Sequence, residues 1–300
     1  MPELIWTHGD FRILPLHTVR LDKESAVRKR DRLASLIRAG KPALILLVGD
    51  TFRDPTDAEE ARRLLSVFLA PARESGIPFA FTFGEGERRC GLSEEVLYEV
   101  FSSVPGSLLP DRAERTDGFT DGTLPVTGTD GTDPLLILRL FDTHAETTAY
   151  ERDYGSPGRS RLPYPLYTPH YMDGVRFNQT AWFDGDHERI EARYGKKIPE
   201  LFFFHTPTPE HAQLVHSQDR GGFDGVIREE RKCQTVNGGI SVAAAESRTV
   251  LAILCGHEET NDYFARWAGM LFGVEPAFDR GAWIVSVEKP ADPTVRITRL

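Results

Sequence analysis

Four apolar runs, each closed by a short segment bearing Gly, Asp, Glu or His, constrain this chain more than any other feature. They are Leu44-Ile45-Leu46-Leu47-Val48 before Gly49-Asp50, and Phe79-Ala80-Phe81-Thr82-Phe83 before Gly84-Glu85-Gly86-Glu87. The other two are Leu201-Phe202-Phe203-Phe204 before His205, and Val250-Leu251-Ala252-Ile253-Leu254-Cys255 before Gly256-His257-Glu258-Glu259. A short run without polar alternation reads as a strand covered on both faces. A Gly directly after it lets the backbone turn sharply and brings the next side chain to the sheet edge. Open α/β sheets build ligand sites beyond the carboxyl ends of their strands. Four such ends presenting Asp, Glu and His together offer the donor types of a metal site.

Between the runs the pattern changes to helical spacing. Glu24 to Ala39 is rich in Arg and Leu and is stopped by Gly40. Ala58, Ala61, Leu64, Leu65 and Phe68 predict a helix over Asp57 to Ser75. Ser93 to Ser102 predicts a short helix, and Asn178 to Tyr194 an amphipathic one with Trp182 and Phe183 in the core. Further strands are expected at Phe11 to Val19, Leu135 to Phe141 and Ala282 to Val287. Residues 104 to 134 read as exposed loop or hairpin, being rich in Gly, Asp, Thr and Pro. Residues 150 to 172 read as a functional loop. Its Tyr164, Tyr167, His170 and Tyr171 either pack the loop or line a site mouth, and its Arg159 and Arg161 read as solvated. Strands alternating with helices give the α/β class, and the strand-rich later half favours a sandwich of mixed sheets with helices outside.

Composition limits the partners. A net charge of -9 argues against broad binding to a nucleic-acid backbone. No apolar stretch is long enough to span a bilayer. The start lacks a basic segment followed by an apolar one, so a cytoplasmic location is expected. Cys90, Cys233 and Cys255 are far apart and read as free thiols. A small-molecule substrate, with neither nucleic acid nor membrane as partner, is the resulting expectation.

In these motifs, together with Pro15-Leu16-His17, the chain resembles the calcineurin-like metallophosphoesterases, and within them the purple-acid-phosphatase-related branch. The resemblance covers roughly residues 10 to 285 and rests on five elements in order. Lys41-Pro42, the segment from Phe204 to Glu210, Asn237-Gly238-Gly239 and Asn261-Asp262-Tyr263 support it. It implies a single domain over residues 1–300, built as a four-layer sandwich of two mixed β-sheets flanked by helices. It also implies one or two divalent ions (Zn, Mn or Fe) and hydrolysis of a small phosphorylated compound.

His17, Asp50, His205 and His257 match the family pattern directly. Pro15 replaces an Asp ligand, Glu85 an Asn ligand, Gly86 the His that assists the leaving group, and Glu259 a His ligand. By the resemblance, Asp50, Glu85, His205 and His257 hold one ion, while His17, Asp50 and Glu259 form a poorer set for another. Asn237 positions the ligand by the same analogy. Two alternatives stay open. In one, the scaffold runs lyase, isomerase or cyclase chemistry on a non-phosphate metabolite, with Glu85 and Glu259 moving protons. In the other, it is a non-catalytic pseudophosphatase. Glu87 and Glu258 are expected to face solvent or hold neighbouring loops, and His144, His211 and His216 to lie at the surface.

Overall fold

The computed structural model describes residues 4–113, 116–131, 133–144, 172–214, 222–229, 232–288 and 292–300. Residues 150 to 171 of the proposed functional loop, and His216, lie outside the described residues.

The first two-fifths of the chain alternates strand and helix. β1 (Leu4–Trp6) and β2 (Phe11–Leu16) precede α1 (Ala26–Gly40), and β3 (Leu44–Val48) precedes α2 (Ala58–Phe68) and α3 (Ala70–Glu74). β4 (Phe79–Thr82) is followed by α4 (Glu85–Arg89) and α5 (Glu94–Ser103). Next come β5 (Asp111–Arg112), β6 (Gly122–Gly128), β7 (Pro134–Phe141), α6 (Phe177–Tyr194), β8 (Glu200–Phe204), α7 (Pro209–Gln213) and β9 (Asp224–Val226). The remainder is α8 (Ile240–Ser247), β10 (Val250–Cys255), β11 (Asp262–Trp267), β12 (Met270–Val274), β13 (Trp283–Glu288) and β14 (Thr294–Arg299).

Two mixed sheets result, of order β14-β13-β2-β3-β4 and β1-β6-β7-β8-β10-β12-β11-β9, with β5 beside β6. The strands β2, β3 and β4 run parallel in one sheet, and β7, β8, β10 and β12 run parallel in the other. Three apolar layers explain the unbroken hydrophobic runs. Leu44, Leu46 and Val48 point between the sheets to meet residues such as Leu138, Phe203 and Leu254. Their neighbours Ile45 and Leu47 point outward onto Leu33, Leu64 and Phe68 of α1 and α2. On the far side, Phe202, Phe204 and Ile253 pack under Phe183 of α6 and Ala244 of α8. Both faces of each central strand are therefore buried, and the order is helix, sheet, sheet, helix. Among the described residues, no helix is long and apolar enough to cross a membrane.

Several expectations are corrected. The helix predicted over Asp57 to Ser75 breaks at Leu69, because Pro71 lacks the N–H that would continue the ladder. α2 begins where Asp57 accepts a hydrogen bond from the Glu60 N–H at 2.8 Å. The segment after Gly84, for which the sequence predicts no element, forms a helical turn, α4. Residues 104 to 134 take the hairpin form of the loop-or-hairpin expectation, since β6 pairs antiparallel with β7, but most of β6 is buried rather than exposed. The final expected strand is followed by a further one, β14, paired antiparallel along β13.

The layer between β4 and α5 is held by aromatic stacking. Phe101 lies with its ring centroid 4.5 Å from that of Phe81, 5.5 Å from Phe52 and 5.8 Å from Phe83. Phe101→Ala would leave a cavity there that rigid neighbours cannot close. Urea unfolding is expected to show a loss of about 3–5 kcal/mol; a loss under about 1 kcal/mol would mean that the layer repacks.

Candidate functional site

Five strand ends from both sheets converge on one edge. Beyond β2, β3 and β4 come His17, Asp50 and Glu85; beyond β8 and β10 come His205 and His257. The turns there extend the strand ladders. Thr18 N donates to Gly49 O at 3.1 Å, Arg20 N to Asp50 O at 2.9 Å, and Gly256 N to His205 O at 3.1 Å. Gly49 takes φ +78, and a Cβ on it would stand 2.6 Å from the His205 ring, so only Gly fits between β3 and that histidine.

Asp50 is the centre of the cluster. Its Oδ1 lies 3.2 Å from His205 Nε2 and accepts the Gly86 N–H at 2.7 Å. His205 is oriented from behind, since its Nδ1 donates to Val48 O at 2.8 Å. His257 Nδ1 lies 3.4 Å from His205 Nε2 and 4.0 Å from Glu85 Oε1. The other nitrogen, His257 Nε2, is buried and has no hydrogen-bond partner. Gly86 is shaped by the same contact: a Cβ on it would fall 2.6 Å from Asp50 Oδ1. The space beside Gly86 is thus taken by Asp50, and Gly86 itself has no side chain to protonate a leaving group.

The charges follow from burial and from Asp50. Burial alone would lower the His205 pKa, but the adjacent Asp50 carboxylate outweighs it and raises the value to about 9. Burial raises and His205 lowers the Asp50 carboxyl, and the net effect is a pKa well below the usual carboxylate range. Burial, reinforced by the His205 charge, lowers His17 and His257 to about 3 each. One imidazolium therefore sits between two neutral imidazoles.

The other expected site residues are placed differently. His17 is closed: Nε2 donates to Glu275 O, while Nδ1 lies 2.9 Å from Thr18 Oγ1 and accepts the His257 N–H at 3.2 Å. Glu259 Oε1 accepts from Arg20 Nη1 at 2.7 Å. Asn237 hydrogen-bonds Glu210 Oε1 at 2.7 Å, beside the start of α8, and has no hydrogen bond to the histidine cluster. Among the described residues, no group of three or more His, Cys, Asp or Glu donors encloses a common metal position. Asp50, Glu85, His205 and His257 instead approach one another in pairs.

Of the two readings for Glu87 and Glu258, solvent-facing or loop-holding, the second applies, and the surface placing of His144 and His211 needs correction. Glu87 does not face solvent; it is 0% exposed and accepts the N–H groups of Asp50 at 2.8 Å, Thr51 at 2.7 Å and Gly84 at 3.0 Å. Burial raises its pKa, and the nearby Asp50 charge adds to that. Glu258 is also buried, accepting from Lys232 N at 2.8 Å and Asn261 Nδ2 at 2.7 Å. Both hold neighbouring loops. His144 and His211 are buried rather than superficial. His211 Nδ1 lies 2.9 Å from Thr208 Oγ1, at the turn that opens α7. Arg20 brings Nη2 to 4.0 Å from Asp50 Oδ2.

No protein-family model matches the chain. Over 251 residues, 79% of the chain, it is 26% identical to a protein of Arabidopsis thaliana named probable inactive purple acid phosphatase 14. Over 234 residues, 75% of the chain, it is 23% identical to Phosphatase DCR2 of Saccharomyces cerevisiae. The chain spans 59% of the first relative's length and 37% of the second's. Among solved structures, a dimetal phosphatase from Danio rerio aligns over 98% of both chains with a TM-score of 0.61 and 13% identity. The paired mixed sheets, the helices on both outer faces and these likenesses make this chain a protein of the metallophosphoesterase fold, with purple-acid-phosphatase-like homologues.

Proposed function

We propose that the chain is a divergent metal-dependent phosphoesterase acting on a small phosphorylated compound, with one divalent ion held by Asp50, Glu85, His205 and His257. The observation that carries this reading is the spacing of the donors. Zn–N bonds of about 2.0–2.1 Å put the donors of a tetrahedral site roughly 3.3 Å apart. The separations here are 3.2 Å for His205–Asp50, 3.4 Å for His205–His257 and 4.0 Å for His257–Glu85. The donors approach one another in pairs and not round one point, so binding an ion requires Glu85 and Asp50 to move toward the two histidines. The mix of imidazole and carboxylate suits Zn, Mn or Fe.

A divalent ion bound there would polarise a phosphoryl oxygen and acidify a bound water. The chain's own groups supply orientation. Val48 O fixes the His205 ring, and Glu87 fixes the backbone that carries Asp50. With Nδ1 turned to the cluster, the buried His257 Nε2 carries the ring proton and is left to donate to an anionic ligand. Gly86 itself offers the leaving group no acid. In the alternative in which Glu85 and Glu259 move protons, Glu259 would have to act while bonded to Arg20.

Missing acid catalysis predicts a particular selectivity. With Zn or Mn, aryl phosphates, whose leaving groups need no proton, are expected to turn over about 100-fold faster than alkyl phosphates. Asp50→Asn is expected to lose both metal and turnover. Equal rates on the two classes would mean that another acid serves. No turnover on either, with metal bound, would favour the non-catalytic reading.

Metal uptake should also depend on pH. Without metal, His205 holds its proton up to about pH 9. That proton must leave before Nε2 can accept an ion, so apparent affinity should rise by up to about tenfold per pH unit below that value and level off above it. Chelator competition from pH 6.5 to 8.5 measures this, and a flat profile would contradict it.

A further inference from the structure

We propose that the Arg20 guanidinium takes the place of a second metal ion, making the edge a one-metal, one-arginine site for a phosphoryl or similar tetrahedral oxyanion. This rests on the preceding assignment of one ion to Asp50, Glu85, His205 and His257.

The residues on the other side of Asp50 do not fit a metal. Pro15 carries no donor and sits within β2, paired with Leu46. Both ring nitrogens of His17 are engaged, Nε2 with a backbone carbonyl. Glu259 is bonded to Arg20.

Arg20 is built into the position those residues leave. Its backbone N–H donates to Asp50 O at 2.9 Å, and its carbonyl accepts from Lys29 Nζ at 3.0 Å. Its φ of 50 lies in the left-handed region. Nη1 meets Glu259 at 2.7 Å, and Nη2 lies 4.0 Å from Asp50 Oδ2. Asp50 thus turns one oxygen to His205 and the other to Arg20, bridging the candidate ion and the guanidinium.

Charge gives the reason for such a replacement. Asp50, Glu85 and Glu259 bring three carboxylates to this edge. Beside a divalent ion, two guanidinium groups offset these carboxylates and lessen the repulsion of a phosphate: Arg89, 3.5 Å from Glu85, and Arg20, 2.7 Å from Glu259. Arg20 is the guanidinium of the two that stands beside Asp50. Its planar fork has five N–H donors matched to paired oxyanion oxygens, and its side chain is 38% exposed, so an anion can reach it. A second polar group nearby is left without a hydrogen bond: His257 Nε2, on the ring whose Nδ1 faces His205 and Glu85.

The test pairs metal content with binding of inorganic phosphate in the full chain, as wild type, Arg20→Met and Arg20→Lys. Elemental mass spectrometry after loading with Zn or Mn is expected to give one equivalent in all three. Calorimetric phosphate affinity is expected to fall about tenfold or more in Arg20→Met and to recover in part in Arg20→Lys. Two equivalents in the wild type, loss of the metal in Arg20→Met, or a phosphate affinity there within about twofold of wild type would each overturn the proposal. Arg20→Lys keeps the question answerable should Arg20→Met fail to fold. Phosphate binding is read without turnover. Arg20-dependent binding in a protein that hydrolyses no phosphoester would sink the hydrolase reading alone. Hydrolysis unaffected by Arg20→Met would sink this one alone.

Discussion

The contact between Asp50 and His205 is the interaction on which the site depends. Asp50 ends β3 of one sheet and His205 ends β8 of the other, and their side chains lie 3.2 Å apart with almost no exposure. Elsewhere the sheets meet mainly through apolar side chains, with a few polar contacts such as Arg299–Asp262 and Thr82–Phe141. At this edge they meet through charge. A buried pair of this kind costs desolvation on both sides, and removing one partner leaves the other charge stranded, typically at about 3–5 kcal/mol. Nothing in that arithmetic favours such a pair for stability alone. Its presence between two neutral histidines is more readily understood as a site kept charged for a ligand.

The backbone around the pair shows the same cost. Thr18, Arg20, Asp50 and His257 are non-glycine residues with positive φ. Conformations of that kind cost of order 1–3 kcal/mol each and persist only when their surroundings hold them. Here the surroundings are identifiable. Glu87 fixes the Asp50 turn through three N–H groups, and the extended ladders tie the β2, β3 and β10 turns to their neighbours. Functional side chains are thereby carried on short strand-end turns rather than on long loops, which suits a site needing fixed donors.

Much of this was legible in the sequence, for a physical reason. Strands buried on both faces must be apolar throughout, and strand ends that build a site must turn sharply. The runs ending in Gly49-Asp50 and Gly256-His257 therefore show both features in order. What escaped has equally definite causes. Glu87 is bound to the backbone of residues 50 and 51, a contact that leaves no pattern in side-chain type. The hairpin of β11 and β12 turns at Ala268 and Gly269, with φ of 50 and 85, and an Ala at the first of these masks the usual turn signal. His144 and His211 were placed at the surface by default, yet buried hydrogen-bond partners that lie nearby only in the fold satisfy them. Arg20 drew no notice because a lone arginine after a strand is ordinary; only the meeting of β2, β3 and β10 gives it Asp50 and Glu259 as neighbours.

The account's central claim is that this edge holds one metal ion, on the His205 side of Asp50. Anomalous diffraction from crystals soaked in Zn or Mn tests it most directly. The account predicts a single peak bounded by Asp50, Glu85, His205 and His257, with Arg20 still bonded to Glu259. An edge without a peak, or a second ion between Asp50 and Glu259 with Arg20 displaced, would contradict it.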